Sequence, residues 1–287
     1  MYKNFIKISF FFILILTITS CSGGNSKQEL IDRAGAPLLS GLGDHSHEIT
    51  SNEKGVQEYF NQGLILAFAF NHAESVRSFK AAQTLDPSCA MCYWGEALAR
   101  GPNINVTSNG KAVMSDEQRV KAFEALGKAK DLMAHSTSQE QAYITALSSR
   151  YDGDISSDRN ALDIAYAEAM EKVVVAYPED MDAASLYSEA LMNTMPWNYW
   201  LDDGKPRADT VKVISKLEEV LEKEPDHPLA IHLYIHAVEA SNSPERAESA
   251  ADRLGSLVPG AGHLVHMPAH IFWRVGRYHD ASEANIN

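Results

Sequence analysis

The sequence predicts an all-α protein built from stacked helix hairpins, and two observations lead to this prediction. First, segments with apolar residues at helical spacing follow one another from about residue 54 onward, and none of them reads as a β-strand. Second, prolines recur at a regular interval. Pro225 and Pro259 are 34 residues apart, and the intervals between Pro87, Pro178 and Pro225 become multiples of 34 when loop-like inserts are subtracted. A fixed period of this length is typical of stacked helical hairpins.

The pattern of residues 1–20 is typical of a signal peptide for export. A short basic start precedes an apolar run at residues 10–16, and small residues follow that run. The run is too short for a membrane span. Residues 18–21 resemble the lipobox of bacterial lipoproteins, which implies cleavage before Cys21 and lipidation of its thiol. We therefore expect an exported protein of the bacterial cell envelope, anchored to a membrane by lipid. An ordinary signal peptide with an incidental cysteine is the alternative.

Residues 21–53 are predicted to form a flexible tether between the lipid anchor and the helical domain. The segment is rich in glycine and serine over much of its length and shows no helical period. His45 and His47 lie near its end. Either they belong to a solvated linker, or they fold back across the helical domain.

The charge of the chain argues against nucleic acid as a partner. The formal net charge is −13, and it becomes −15 when residues 1–20, which contain two lysines, are removed. Such a surface repels a phosphate backbone unless a basic patch offsets it. The sequence contains no cluster of lysines and arginines of that kind.

The first hairpin carries the clearest consensus of the chain. Tyr59, Gly63, Phe79, Ala82 and Pro87 match the aromatic, glycine, aromatic, alanine and proline places of the tetratricopeptide repeat, and the segment resembles that family. The resemblance covers most of residues 54–287, about five and a half repeats with the last one incomplete. It implies a right-handed solenoid whose first helices line a concave groove. The strings CAMCYWGEALARGPNIN and HMPAHIFWRVGRYHDA are also similar to those of exported bacterial repeat proteins.

Two predicted helices near the end of the chain carry six potential metal ligands. They are His232, His236 and Glu239 on one helix, and His263, His266 and His270 on the next. At 3.6 residues per turn, each triplet lies on one face of its helix. In the register fixed by Pro225 and Pro259, the resemblance implies that all six side chains point into the groove. Imidazole and carboxylate ligands suit Zn²⁺, Cu²⁺, Ni²⁺ or Fe²⁺.

Pro268 leaves the direction of the second triplet open, because proline does not sit comfortably inside a helix. Either a helix starts near Met267 or the helix kinks there, and in both cases His263 and His266 could point elsewhere. The alternative to metal binding is that the histidines are polar groups of the groove. They would then form hydrogen bonds with a peptide or with one another.

Two functions follow from these patterns. The first is a non-enzymatic scaffold, since helical solenoids are binding scaffolds. It would bind a protein or peptide partner in its groove through Phe60, Trp94, Glu189, His232 and Trp273. The second is a metal-binding protein, a carrier or a metalloenzyme, that uses the six residues above. The sequence contains no nucleophile elbow and no phosphate-binding loop, which favours the non-enzymatic function.

Cys89 and Cys92 lie in a Cys-Ala-Met-Cys string at the start of a predicted helix. With Cys21 assigned to lipid, they are the other two cysteines of the chain. Export to an oxidising compartment favours a short local disulfide between them. Two buried thiols, or a metal or redox site, are the alternatives.

Overall fold

The computed structural model describes residues 22–286, and within this range the protein is all-α. The predicted signal peptide at residues 1–20 and the predicted lipidation of Cys21 lie outside the described residues. None of the described helices combines the length and the apolar character of a membrane span. One short hairpin interrupts the helices, formed by β1 (Thr107–Ser108) and β2 (Lys111–Ala112).

Most of the helices pack against their neighbours in sequence. The helices are α1 (Ser22–Ala34), α2 (Val56–Phe68), α3 (His72–Leu85), α4 (Ala90–Ala99), α5 (Asp116–Leu132), α6 (Ser138–Ser148), α7 (Arg159–Ala176), α8 (Met181–Thr194), α9 (Ala208–Lys223), α10 (Pro228–Val238), α11 (Glu248–Leu257), α12 (Gly262–His266), α13 (Pro268–Arg274) and α14 (Tyr278–Ile286). Short 3-10 helices at Met133–His135 and Pro244–Ala247 precede α6 and α11. The pairs α2 with α3, α4 with α5, α6 with α7, α8 with α9 and α10 with α11 make extensive contacts.

The four periodic prolines each lie two residues beyond the last residue of a helix. The helices that end there are α3, α7, α9 and α11, and the prolines are Pro87, Pro178, Pro225 and Pro259. Proline has no backbone N–H and a fixed φ, so it cannot continue the helix. In three of the four cases a side chain then caps the start of the next helix. Asp180, for example, accepts a hydrogen bond from the Ala183 N–H at the start of α8.

Small residues allow α2, α3 and α4 to pack around a single aromatic ring. Phe79 on α3 is fully buried. A Cβ atom added at Gly63 would lie 2.9 Å from the Phe79 ring, and one added at Gly95 would lie 2.2 Å from it. Glycine is therefore required on both flanking helices, because any larger residue would push them away from Phe79.

The segment predicted to be a flexible tether packs against the helices instead. After α1, residues 36–51 run along the helical body, and Leu42 joins the core. The Gln57 side chain donates a hydrogen bond to the His47 carbonyl oxygen at 2.8 Å. The Thr50 N–H and hydroxyl both donate to the Glu140 carboxylate at 2.6 Å. Composition alone suggested a tether, but polar side chains of distant helices satisfy the backbone of this segment and order it.

The helices that the sequence assigned to an open groove are packed together. α10 contacts α2 as well as α8, which brings the end of the helical series against its beginning. Side chains fill the space between the facing sides of α2 and α4. Phe60 and Trp94 are 0% and 2% exposed, with ring centroids 6.4 Å apart. The prediction that these two residues contact a partner is therefore wrong, since both belong to the core.

Cys89 and Cys92 form a disulfide at the start of α4, with their sulfur atoms 2.03 Å apart. Cys89 is also the N-cap residue of α4, where its sulfur accepts a hydrogen bond from the Cys92 N–H. Both residues are buried. The disulfide leaves neither sulfur as a thiolate ligand for a metal ion.

Candidate metal centre

Two neighbouring helices direct the predicted histidine ligands at one another. His232 and His236 lie one turn apart on α10, and His263 lies on α12. Pro268 does not disturb this arrangement. It is the first residue of α13, and Met267 before it keeps a helical φ of −52° and ψ of −39°. The backbone therefore continues in a helical conformation through the junction, and His263 faces α10.

Three histidines, His232, His236 and His263, form the core of the cluster. One nitrogen from each ring lies within 4.8 Å of the other two. The Nε2 atoms of His232 and His263 are 3.1 Å apart. Two nitrogens that are each about 2.0–2.1 Å from one ion lie about 2.8–3.4 Å apart at angles of about 90–110°. The observed separation therefore fits two ligands of a common ion.

Hydrogen bonds on the far side of the rings determine which nitrogens are free to bind metal. His232 donates from Nδ1 to the Phe68 carbonyl oxygen at 2.7 Å, and His236 donates from Nδ1 to Glu239 Oε1 at 2.8 Å. Both oxygens can only accept, so each Nδ1 carries the hydrogen and each neutral ring presents a lone pair at Nε2. His236 Nε2 is buried and has no hydrogen-bond partner among residues 22–286.

Burial keeps the three rings neutral, which is the form that binds metal. Desolvation lowers the pKa of His232 well below its ordinary value, and His236 and His263 add to the effect. Desolvation also lowers the pKa of His236, although Glu239 opposes this shift. Burial and the neighbouring His236 lower the pKa of His263 to about 4. At neutral pH, none of the three has to lose a proton before it binds a cation.

Glu239, which the sequence predicted as a ligand, holds two of the rings in place. Its Oε1 accepts from His236 Nδ1 at 2.8 Å, and its Oε2 accepts from His270 Nδ1 at 2.7 Å. Burial alone would raise the pKa of Glu239, but the hydrogen bonds from His236 and His270 outweigh burial and lower this pKa to about 2. The carboxylate is thus ionised, with both oxygens engaged, as is typical of residues that orient histidine ligands.

The last two predicted ligands, His266 and His270, join the same cluster. Their Nε2 atoms are 3.0 Å apart. The His270 ring lies against His236, with centroids 5.4 Å apart, and the His266 ring lies 6.2 Å from that of His263. The six residues that the sequence singled out therefore form one continuous cluster.

A cavity of about 490 Å³ opens beside His263. Phe70 lines it between His263 and His72, with ring centroids 5.5 Å and 5.8 Å from the two imidazoles. Asn103 lines it as well and donates from Nδ2 to His72 Nε2 at 3.0 Å. The cavity places space for a small molecule next to one of the candidate ligands.

Comparison with known proteins finds no family model and no curated protein that matches this chain. The functional argument therefore rests on the geometry of the site. Its main parts are the three-histidine group, the orientation of the ring nitrogens and the cavity beside His263.

A second histidine cluster, which the sequence did not predict as a unit, surrounds Asp182 on α8. His45 Nε2, His47 Nδ1 and His227 Nε2 lie 3.0, 2.7 and 3.1 Å from its carboxylate oxygens. His45 and His47 thus fold back onto the helical domain, which was one of the two alternatives. His227 directly precedes Pro228, the first residue of α10, and this signal could have marked it as a helix cap. No local signal connects it with Asp182.

The ring hydrogens distinguish this second cluster from the first. Nitrogens and oxygens of His45, Asp182 and His227 are also close enough to hold a metal ion. However, His227 Nδ1 accepts the Ala230 N–H at 3.3 Å, so the hydrogen of the neutral ring is on Nε2 and faces Asp182. The Asp182 carboxylate accepts hydrogen bonds from the N–H groups of all three rings, so these groups have their partner without a metal ion. We describe these four residues, Asp182, His45, His47 and His227, as the Asp182 clamp.

Of the other three residues predicted to contact a partner, His232 is fully buried, and Trp273 and Glu189 differ in exposure. Trp273 on α13 is 62% exposed and accessible to a partner. Glu189 on α8 is half-buried, and burial raises its pKa. Its Oε1 accepts a hydrogen bond from Asn193 on the same helix at 3.3 Å. Trp273 is therefore the more accessible of the two.

Proposed function

We propose that this protein binds a transition-metal ion through ring nitrogens of His232, His236 and His263. The observation that supports the proposal most directly is the convergence of three buried or half-buried neutral imidazoles within 4.8 Å. Two of them present an unprotonated Nε2, and that of His236 has no hydrogen-bond partner in the described part of the chain. A buried polar atom without a partner costs about 1–3 kcal/mol, and a bound cation removes that cost.

The chemistry of the ligands indicates which ions suit the site. Imidazole nitrogens suit Zn²⁺, Cu²⁺, Ni²⁺ and Fe²⁺, and no thiolate is present in the cluster to favour Cu⁺. Three protein ligands leave a coordination position for water or for another ligand. The cavity beside His263 provides space on that side of the cluster. A metal carrier and a metalloenzyme would both use such a position.

The test of this proposal is metal content. The full chain, purified without a His tag and equilibrated with each of the four ions in turn, is expected to retain at least one ion per chain, measured by elemental analysis. His232→Ala and His236→Ala should each lose that ion, because each removes a buried ligand. His135→Ala, an exposed histidine of the 3-10 helix Met133–His135, is the matched control and should keep it. A wild-type chain that retains none of the four ions overturns the proposal.

Glu239→Gln is expected to weaken metal binding by about 10- to 100-fold, because outer partners of histidine ligands contribute this much. The glutamine side chain can accept a hydrogen bond from only one of the two Nδ1–H groups and presents an N–H to the other. A competition titration with a chromophoric chelator measures the change. Glu245→Gln, at an exposed glutamate, should leave the affinity as in the wild type. An unchanged affinity in Glu239→Gln would contradict the positioning role.

We further propose that the helix pairs are tetratricopeptide-like repeats of a right-handed solenoid, and that the chain is a lipid-anchored protein of the bacterial envelope. The first residues of α10 and α12, Pro228 and Gly262, are 34 positions apart, which supports the repeat. The lipobox-like residues 18–21 support the anchor. A scaffold that binds a protein partner is the second candidate function, and the exposed Trp273 supports it.

A further inference from the structure

His266 and His270 lie outside the three-histidine site, and the close contact between their rings needs an explanation of its own. Their Nε2 atoms face each other at 3.0 Å. In an ordinary hydrogen bond at this distance, one of the two nitrogens would carry the hydrogen and the other would accept it. The contacts on the far side of both rings decide whether this is so.

His270 keeps its hydrogen on Nδ1. This nitrogen lies 2.7 Å from Glu239 Oε2. Glu239 accepts with both carboxylate oxygens, Oε1 from His236 Nδ1 and Oε2 from His270 Nδ1, and a carboxylate has no hydrogen to donate. A neutral His270 therefore presents a lone pair at Nε2.

His266 also keeps its hydrogen on Nδ1. This nitrogen lies 2.7 Å from Asn285 Oδ1. The orientation of the Asn285 amide is fixed independently, because its Nδ2 donates to the Ala281 carbonyl oxygen at 2.6 Å. The oxygen of Asn285 must therefore face His266, and His266 Nδ1 must be the donor.

Two lone pairs consequently face each other, and a cation between them removes their repulsion. We infer that His266 and His270 bind a second metal ion beside the first, an inference that rests on the proposed metal-binding function. The separation of 3.0 Å fits two bonds of about 2.0–2.1 Å to one ion. The two histidines are four residues apart, one helical turn, which is a good spacing for chelation. Each also has the outer hydrogen-bond acceptor that is typical of histidine ligands.

The two ions would belong to one centre. Glu239 accepts a hydrogen bond from a ligand of each ion, His236 on one side and His270 on the other. Two protein nitrogens leave the second ion with open positions, and both of its histidines are half-buried, so water or an oxygen-donor ligand can reach it. The chemistry of the pair suits Zn²⁺, Cu²⁺ or Ni²⁺.

Stoichiometry tests the inference. Calorimetric titration of the full chain with Zn²⁺ is expected to show two equivalents. His266→Ala should show one equivalent with the affinity of the remaining site unchanged. Asn285→Leu, which keeps both ligands and removes the acceptor for His266 Nδ1, should weaken the second equivalent by about 10- to 100-fold. His279→Ala, at an exposed histidine of α14, is the control and should show two. Circular dichroism establishes that each variant is folded.

The outcomes separate this inference from the function on which it rests. One equivalent in the wild type, unchanged in His266→Ala and lost in His232→Ala, overturns the second ion and leaves the proposed function standing. That result would mean that a proton, not a metal ion, lies between the two nitrogens. One equivalent that His266→Ala abolishes also overturns the inference, because His266 would then serve a single ion. No binding in the wild type overturns both.

Discussion

Replacing Asp163 by asparagine is expected to lower the free energy of unfolding by about 3–5 kcal/mol, the loss typical of breaking a buried ion pair. Asp163 is 1% exposed and lies 2.9 Å from Arg150 Nε and 3.2 Å from an Arg159 nitrogen. Asparagine preserves the shape of the side chain and removes its charge. Arg150 is also 1% exposed, and it would stay charged without its counter-ion. Burial alone would lower the pKa of Arg150, but Asp163 together with Tyr151, Glu189 and Tyr166 outweighs burial and raises it.

Urea unfolding followed by circular dichroism measures this loss. Asp203→Asn is the matched control, since it removes the charge of an aspartate whose partner, Lys205, is exposed. It should leave the unfolding midpoint unchanged. A loss below about 1 kcal/mol in Asp163→Asn would be as small as the loss expected for an exposed ion pair, and it would contradict the structural role of the buried pair.

Local signals made the helices predictable from the sequence. Proline stops a helix wherever it occurs, so Pro87, Pro178, Pro225 and Pro259 marked helix ends without any knowledge of the neighbours. The same prolines fixed the register that placed six ligands on common faces. The packing between distant helices carries no such signal. His232 bonds to a carbonyl oxygen 164 residues away, and one sequence gives no indication of that contact. The burial of Phe60 and Trp94 and the order of residues 36–51 depend on contacts of this kind.

The role of each histidine was predictable only in part. Helical spacing indicated that His232 and His236 share a face, and the structure places both in the cluster. Whether a ring binds metal depends on the group that holds its other nitrogen. A carbonyl oxygen leaves Nε2 of His232 unprotonated, whereas the Ala230 N–H keeps the hydrogen of His227 on Nε2. These outer partners come from other turns and other helices, so spacing along the chain cannot distinguish a ligand from a hydrogen-bond donor.

Asp182→Asn is expected to lower the free energy of unfolding by about 2–4 kcal/mol, because hydrogen bonds to a buried charge are among the stronger ones. Asp182 is 7% exposed and accepts from His45, His47 and His227. Asparagine has one acceptor oxygen and one N–H group, so at least one ring N–H would lose its partner. Urea unfolding measures the loss, and amide hydrogen exchange should show faster exchange near residues 45–47. Asp209→Asn, which removes the charge of an exposed ion pair with Lys212, should change neither the free energy of unfolding nor the rate of amide exchange.

The stability that the Asp182 clamp contributes should also depend on pH. The pKa of Asp182 is lowered and that of His47 is raised, so their two contributions change with pH in opposite directions. Burial would raise the pKa of Asp182, but hydrogen bonds from His227, His45 and His47 outweigh burial and hold it well below its usual range. Its contribution is therefore present above about pH 4, the range of an unfolded aspartate, and is lost as the pH falls through the folded pKa. Burial would lower the pKa of His47, but its hydrogen bond to Asp182 and the nearby charges outweigh burial and raise it.

The contribution of His47 is thus complete below about pH 6.5 and is lost as the pH rises through its raised folded pKa. Both contributions are present together between about pH 4 and pH 6.5. The difference in unfolding free energy between wild type and Asp182→Asn should therefore be largest in that window and should shrink as the pH rises through the folded pKa of His47, above which only its neutral hydrogen bond remains. A difference that does not fall at any pH above about 6.5 would show that His47 does not become charged in the clamp. The stabilisation would then come from Asp182 alone.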